Sequence, residues 1–162
     1  MVPARPRVLD SGMTVVSAMV HRGAARRLVL RVKYRGCRES AEVLAAMMAP
    51  LLPAGARALA PIPRIYLRRL KYHSDPAVLL ADALSRRSGL PALRPLGPRL
   101  WGAANAGRRR SARAVRFRRR GSPPPGLVLV DDVITTGVTL ETAASTLGFS
   151  RIRAAVTATT SV

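Results

Sequence analysis

The chain has 162 residues, almost half of them apolar, so it can bury one core and is not expected to be disordered as a whole. Its 28 lysines and arginines against 8 acidic residues give a formal charge of +20, which favours an anionic ligand or partner. No apolar run approaches the ~20 residues of a membrane span, and the N-terminus lacks a secretory signal pattern, so we expect a cytoplasmic protein. The single cysteine, Cys37, excludes an internal disulfide and a cysteine-based zinc site.

The high positive charge has two explanations. Almost all of it is arginine, and the chain is also rich in alanine and proline, as codon bias in a GC-rich genome would produce. A polyanion partner is the alternative, and it is favoured by local clustering. No acidic residue occurs between Asp82 and Asp131, an interval that contains two runs of three arginines.

In the first half of the chain, apolar patterns predict two strands and at least one helix. Residues 1–12 are expected to be a loose segment, and residues 13–20 a short strand. Residues 24–36 fit a short amphipathic helix or a strand, stopped by Gly36. Residues 39–52 are rich in Ala, Leu and Met and predict a helix. Residues 56–63, "ARALAPIP", predict a buried strand that enters a rigid loop.

The second half predicts further alternation of helices and strands. A basic loop at 66–74 leads into a helix with Asp75 as its N-cap and Pro76 at its first position. Residues 91–96 fit a strand, and residues 99–126 are expected to be a mobile basic loop. Strand 126–132, helix 139–149 and strand 151–160 then follow. This alternation predicts a single α/β domain, residues 1–162, with a mainly parallel sheet.

The stretch "LVLVDDVITTGVTLETAA" carries the clearest functional signal. Asp131 and Asp132 lie at the end of a buried strand, and in open α/β sheets ligands bind beyond the carboxyl ends of the strands. The helix that follows offers unpaired backbone N–H groups and a positive dipole to an anion, and Gly137 allows close approach. Carboxylates for a diol beside donors for a phosphate suit a ribose 5-phosphate. Helix capping alone would need only one aspartate, and no Walker A or G-x-G-x-x-G loop is present.

The same stretch closely resembles the phosphoribosyl-pyrophosphate (PRPP) motif of type I phosphoribosyltransferases. Across residues 25–160 the chain resembles the competence protein F (ComF) family, through "VKYRG", "APIPRIYLRR", "LLADAL" and "GRRRSARAVRF". It lacks the N-terminal zinc ribbon that many members have. It has "KYHSDP" where the family often has a Gly-rich turn.

The resemblance implies a type I phosphoribosyltransferase-like fold with a mobile hood loop, and transfer of ribose 5-phosphate from PRPP to an unknown acceptor with release of pyrophosphate. Mg²⁺ is the implied cofactor. Asp131 and Asp132 would be the catalytic residues, holding the ribose hydroxyls directly or through metal-bound water. The residues implied for the 5-phosphate are Thr135, Thr136, Gly137, Val138 and Thr139. Those implied for pyrophosphate are Arg64, Arg68, Arg69 and Lys71, and those implied for the hood are Arg108, Arg109, Arg110 and Arg113.

Two other functions stay open from the sequence. One is a non-catalytic PRPP-binding protein, and the other is an accessory protein of DNA uptake that binds single-stranded DNA through residues 99–120. Aromatic residues for base stacking are scarce there, since only Trp101 and Phe117 are available. Trp101 fits packing better than stacking, and His73 fits an ordinary surface residue. A degenerate paralogue with neither role is the third reading, and a homo-oligomer is compatible with all of them.

Overall fold

A computed structural model describes residues 4–64, 75–98, 117–148, 152 and 154–161. In chain order its elements are β1 (Arg7–Val8), β2 (Thr14–Val20), α1 (Gly23–Arg35), α2 (Arg38–Met48) with a 3-10 turn (Ala49–Leu51), β3 (Ala58–Pro61), α3 (Pro76–Ser88), β4 (Leu96–Pro98), β5 (Phe117–Arg119), β6 (Leu127–Ile134), α4 (Val138–Leu147) and β7 (Ala154–Thr160). None of the helices in these ranges is long and apolar enough to cross a membrane.

The main sheet has five strands in the order β1-β2-β7-β6-β3. Strands β2, β7, β6 and β3 run parallel to their neighbours, and only the edge strand β1 is antiparallel. Strands β4 and β5 form a separate antiparallel pair. The predicted α/β class with a mainly parallel sheet is therefore confirmed.

Strand β6 lies inside the sheet and is buried on both faces. Leu127 and Leu129 pack into a cluster with α4 on one face. Val128 and Val130 pack with α1, α2 and α3 on the other face. This arrangement explains the unbroken apolar run, because both faces of a parallel strand are covered by helices.

The ambiguous segment at 24–36 is helix α1. Ala25, Val29 and Val32 are all buried, and their spacing of four and three residues places them on one helical face. Gly36 ends the helix in the left-handed conformation, with φ at 61°. The arginines between the buried positions are exposed.

The N-terminal segment is attached more firmly than the sequence predicted. Arg7 pairs with Val15 and Val8 with Thr14, which extends the sheet by one short strand. Leu9 is buried, with 8% of its surface exposed. Two adjacent apolar residues, of which only Leu9 is buried, give too little pattern to predict this attachment.

The expected mobile loop at 99–126 also contains regular structure. Phe117–Arg119 forms β5, paired with β4, because burial of Phe117 in the core anchors this end of the segment. The strand expected at 91–96 lies instead at Leu96–Pro98, while Ala92 makes an isolated bridge to Leu59. Residues 99–116, which include the rest of the predicted hood, lie outside the described residues.

Candidate functional site

Asp131 and Asp132 lie in the second half of β6 rather than at its end, because β6 continues to pair with β7 as far as Ile134. Strand β3 pairs with β6 only as far as Val130. The two aspartates therefore emerge just beyond the end of β3, at the carboxyl edge of the parallel strands. Ligands bind at this edge in open α/β sheets.

Asp132 is a buried carboxylate with an incomplete set of partners. It is 9% exposed, and its Oδ2 accepts no hydrogen bond from the described residues. Lys33 Nζ, from the last turns of α1, lies 3.8 Å from that oxygen and supplies the opposite charge. A buried carboxylate oxygen without a hydrogen bond is costly, so this atom is available to a ligand or a cation.

Asp131 is held by its neighbour. Its Oδ1 accepts a hydrogen bond from the backbone N–H of Asp132, with N and O 2.8 Å apart. Burial of the carboxyl group, reinforced by the charge of Asp132, raises the pKa of Asp131 well above its ordinary value of 3.8. The fold without ligand therefore disfavours two adjacent negative charges.

We expect Asp131→Asn to be more stable than the native protein at pH 7. A raised pKa means that the folded state binds the proton more tightly, so stability falls as pH rises from 3.8 through the pKa of the folded state. Asparagine removes this cost and can still accept the hydrogen bond from Asp132. Urea unfolding should show a gain in the free energy of unfolding at pH 7 that shrinks towards pH 3.8. A loss of stability at pH 7, or a gain that does not change with pH, would contradict this.

The turn after β6 leads directly into the first turn of α4. Thr135 and Thr136 are exposed, and Gly137 is buried with φ at 90°, in the left-handed region. The first hydrogen bond of α4 runs from Glu141 N to Gly137 O at 3.0 Å. The backbone N–H groups of Val138, Thr139 and Leu140 thus have no partner within the helix. The predicted phosphate residues do form a turn and the start of a helix.

Arg64 is the one predicted pyrophosphate residue in the described part of the chain. Its guanidinium donates to the backbone oxygen of Lys33 at 3.3 Å, so it lies against the same turn of α1 that brings Lys33 to Asp132. Its backbone N–H donates to Asp75 Oδ2 at 3.1 Å. Asp75 is at the N-cap position of α3, but its carboxylate makes this bond instead of the predicted cap to a helix N–H.

The remaining predicted residues lie outside the described residues. These are Arg68, Arg69 and Lys71 of the pyrophosphate set, Arg108, Arg109, Arg110 and Arg113 of the hood, and the individual residues His73 and Trp101.

Lys33 and His21 are neighbours of the site that sequence reasoning gave no role. His21 Nδ1 lies 2.8 Å from Thr159 Oγ1, and that hydroxyl donates to the backbone oxygen of Asp132 at 3.3 Å. Burial, together with the charge of Arg26, lowers the pKa of His21 and favours its neutral form. The rarity of lysine could have pointed to Lys33, which is one of only two lysines in the chain. No sequence pattern pointed to His21, because its hydrogen-bond partner Thr159 is 138 residues away.

The acidic pair has the donor set that Mg²⁺ prefers. Within the described residues there is no group of three or more His, Cys, Asp or Glu that could hold a metal ion. Mg²⁺ is typically held by one or two carboxylates, with waters and substrate phosphates completing its shell. Asp132 Oδ2, which accepts no hydrogen bond from the described residues, fits that mode of binding.

The fold and the site define an α/β protein with paired carboxylates beside a threonine turn and the start of a helix. No family model matches the chain, and no curated protein matches it. Among solved structures, Leishmania donovani UMP synthase aligns with 80% of this chain at 20% identity and a TM-score of 0.47. This chain spans 24% of the UMP synthase chain.

A second solved structure, orotate phosphoribosyltransferase from Aeropyrum pernix, aligns with 94% of this chain and 71% of its own length, at 20% identity and a TM-score of 0.46. Likenesses at this level do not establish function, so the functional conclusion depends on the residues of the site.

Proposed function

We propose that the protein is a type I phosphoribosyltransferase of the ComF family, which binds PRPP and transfers its ribose 5-phosphate to an acceptor with release of pyrophosphate. One observation supports this above all others. Asp131 and Asp132 lie at the carboxyl edge of the sheet, three to four residues before an exposed threonine turn and a helix start. The assignment to ComF rests on the sequence resemblance alone.

The spacing of the two groups suits one ribose 5-phosphate. Thr135 is the third residue after Asp132, a span of at most about 10 Å along the chain. A carboxylate can accept hydrogen bonds from vicinal hydroxyls, and the N–H groups of the turn and the helix start can donate hydrogen bonds to the phosphate. The chain would thus bind the two ends of the sugar with one continuous segment.

Positive charge beside the pair suits pyrophosphate. Lys33 Nζ is 3.8 Å from Asp132 Oδ2, and the Arg64 guanidinium bonds the backbone oxygen of Lys33. In this proposal the two side chains turn towards pyrophosphate oxygens when PRPP binds, and the arginine fork suits those oxygens. Asp131 and Asp132 would also hold Mg²⁺, which would neutralise part of the negative charge of PRPP.

The protein's part in the reaction would be positioning and electrostatic stabilisation. Positive charge develops on the ribose as pyrophosphate departs, and the negative carboxylates beside it would stabilise that charge. One of the two aspartates would accept the proton that the acceptor loses. These roles require neither a covalent intermediate nor a nucleophilic side chain.

Turnover can be tested by following PRPP with ³¹P NMR in the presence of Mg²⁺ and a panel of nitrogenous bases. The proposal predicts release of pyrophosphate that depends on one acceptor class and on protein concentration. PRPP binding without release for any acceptor would favour the non-catalytic PRPP-binding alternative. Single-stranded DNA binding remains a prediction from residues 99–120, of which only Phe117, Arg118, Arg119 and Arg120 are described.

A further inference from the structure

The N-terminal segment makes three contacts with residues 135–141, which form the turn after β6, here called the phosphate turn, and the first turn of α4. The contacts are made by Arg7, Leu9 and Ser11, which we call the N-terminal brace. Arg7 reaches Thr135, Leu9 packs on Gly137, and Ser11 bonds Glu141 in the first turn of α4. Arg7 and Leu9 therefore meet residues of the proposed 5-phosphate site, and Ser11 meets the first turn of the helix that follows.

Arg7 controls the orientation of one peptide group in the turn. Its Nη1 donates to the carbonyl oxygen of Thr135 at 2.7 Å. This peptide is trans, as are all those described, so the N–H of Thr136 points away from the carbonyl and hence away from Arg7. A hydrogen bond from a charged donor is stronger than a neutral one. Arg7 thereby opposes a flip of this peptide, which would turn a carbonyl oxygen towards the proposed phosphate.

Leu9 and Ser11 fix the other side of the same turn. A Cβ built on Gly137 would lie 2.7 Å from Leu9 Cδ2, so the leucine fills the space beside the glycine. The backbone N–H of Ser11 donates to Glu141 Oε1 at 3.0 Å. That bond ties the carboxylate of the first helical turn to the brace, and so limits its approach to a bound phosphate.

We propose that Arg7 is a positioning residue for the 5-phosphate, acting through the Thr135–Thr136 peptide rather than by contact with the reacting atoms. This inference rests on the proposed function. It predicts a selective effect, because the three contacts described for the brace are all made to residues 135–141. Loss of Arg7 should weaken ligands that carry the 5-phosphate and spare inorganic pyrophosphate.

The test compares Arg7→Ala, Arg7→Lys and the control Arg5→Ala by calorimetry with ribose 5-phosphate, PRPP and pyrophosphate. Arg5 is an exposed arginine two residues earlier, so its loss removes the same charge. We expect Arg7→Ala to weaken ribose 5-phosphate and PRPP by about tenfold, the scale of one charged hydrogen bond. Arg7→Lys should recover part of that loss, and Arg5→Ala should have little effect.

Equal weakening of all three ligands, or equal effects of Arg7→Ala and Arg5→Ala, would overturn the inference. Hydrogen exchange of the protein without ligand tests the effect of Arg7 on the turn independently of PRPP binding. Amides of residues 135–141 should exchange faster in Arg7→Ala than in the native protein and in Arg5→Ala, and unchanged exchange would overturn the inference. Absence of PRPP binding by the native protein would refute the proposed function, while the exchange result would still report on Arg7.

Discussion

Replacing both Asp131 and Asp132 with asparagine should abolish PRPP binding, weakening it at least about 100-fold. A hydrogen bond to a charged group is worth about 1.5 to 3 kcal/mol, and two such losses amount to a factor of about 100 or more. The loss of two Mg²⁺ ligands adds to this. The protein should stay folded, because asparagine has the same shape and removes the repulsion that raises the pKa of Asp131. Calorimetry with PRPP and Mg²⁺ measures the effect.

The matched control removes two acidic groups elsewhere. Asp82→Asn with Glu42→Gln makes the same change in net charge and breaks ion pairs to Arg94 and Arg86 at exposed positions. Exposed pairs contribute about 0 to 1 kcal/mol each, so this variant should fold and bind PRPP as the native protein does. If the Asp131 and Asp132 double variant kept native affinity, the carboxylates would have no part in the site.

The second large effect is expected at Gly137. Alanine there meets two penalties: a left-handed backbone with φ at 90°, which costs about 1 to 2 kcal/mol in a residue with a Cβ, and a contact with Leu9 Cδ2 at 2.7 Å. Because Leu9 is buried, the turn should shift to relieve the contact. We expect Gly137→Ala to lower the free energy of unfolding by about 2 kcal/mol and to weaken PRPP binding at least tenfold.

Gly89→Ala separates the two penalties. Gly89 ends α3 with φ at 74°, and a Cβ there would meet nothing within 4 Å. This control should lose about 1 kcal/mol of stability through backbone strain alone and bind PRPP normally. Denaturant unfolding and calorimetry of both variants provide the comparison. Normal PRPP affinity in Gly137→Ala would show that the turn does not hold the ligand.

The site was predictable where it is local in the chain. The run from Leu127 to Val130 is apolar at every position, which is typical of a parallel strand covered on both faces, and the acids and threonines follow within a few residues. One segment therefore contained the strand, the carboxylates and the anion turn. Its position at the carboxyl edge of the sheet followed from the general rule for α/β folds.

The long-range parts of the site had no comparable signal. Arg7 contacts Thr135 across 128 residues, and a single arginine in a chain rich in arginine carries no pattern. Lys33 reaches Asp132 only because α1 is a helix, and the apolar spacing there fitted a strand as well. The burial of Ala25 on the same face as Val29 shows that the segment is a helix. Alanine alone does not predict burial, because it occurs both in cores and on surfaces.

The central claim is that Asp131, Asp132 and the threonine turn bind PRPP. The most direct measurement is calorimetric titration of the native protein with PRPP in the presence of Mg²⁺. We predict saturable binding of one PRPP per chain in the micromolar range, about −8 kcal/mol, with little binding of pyrophosphate when Mg²⁺ is withheld. No heat of binding with millimolar PRPP and Mg²⁺ would contradict the account.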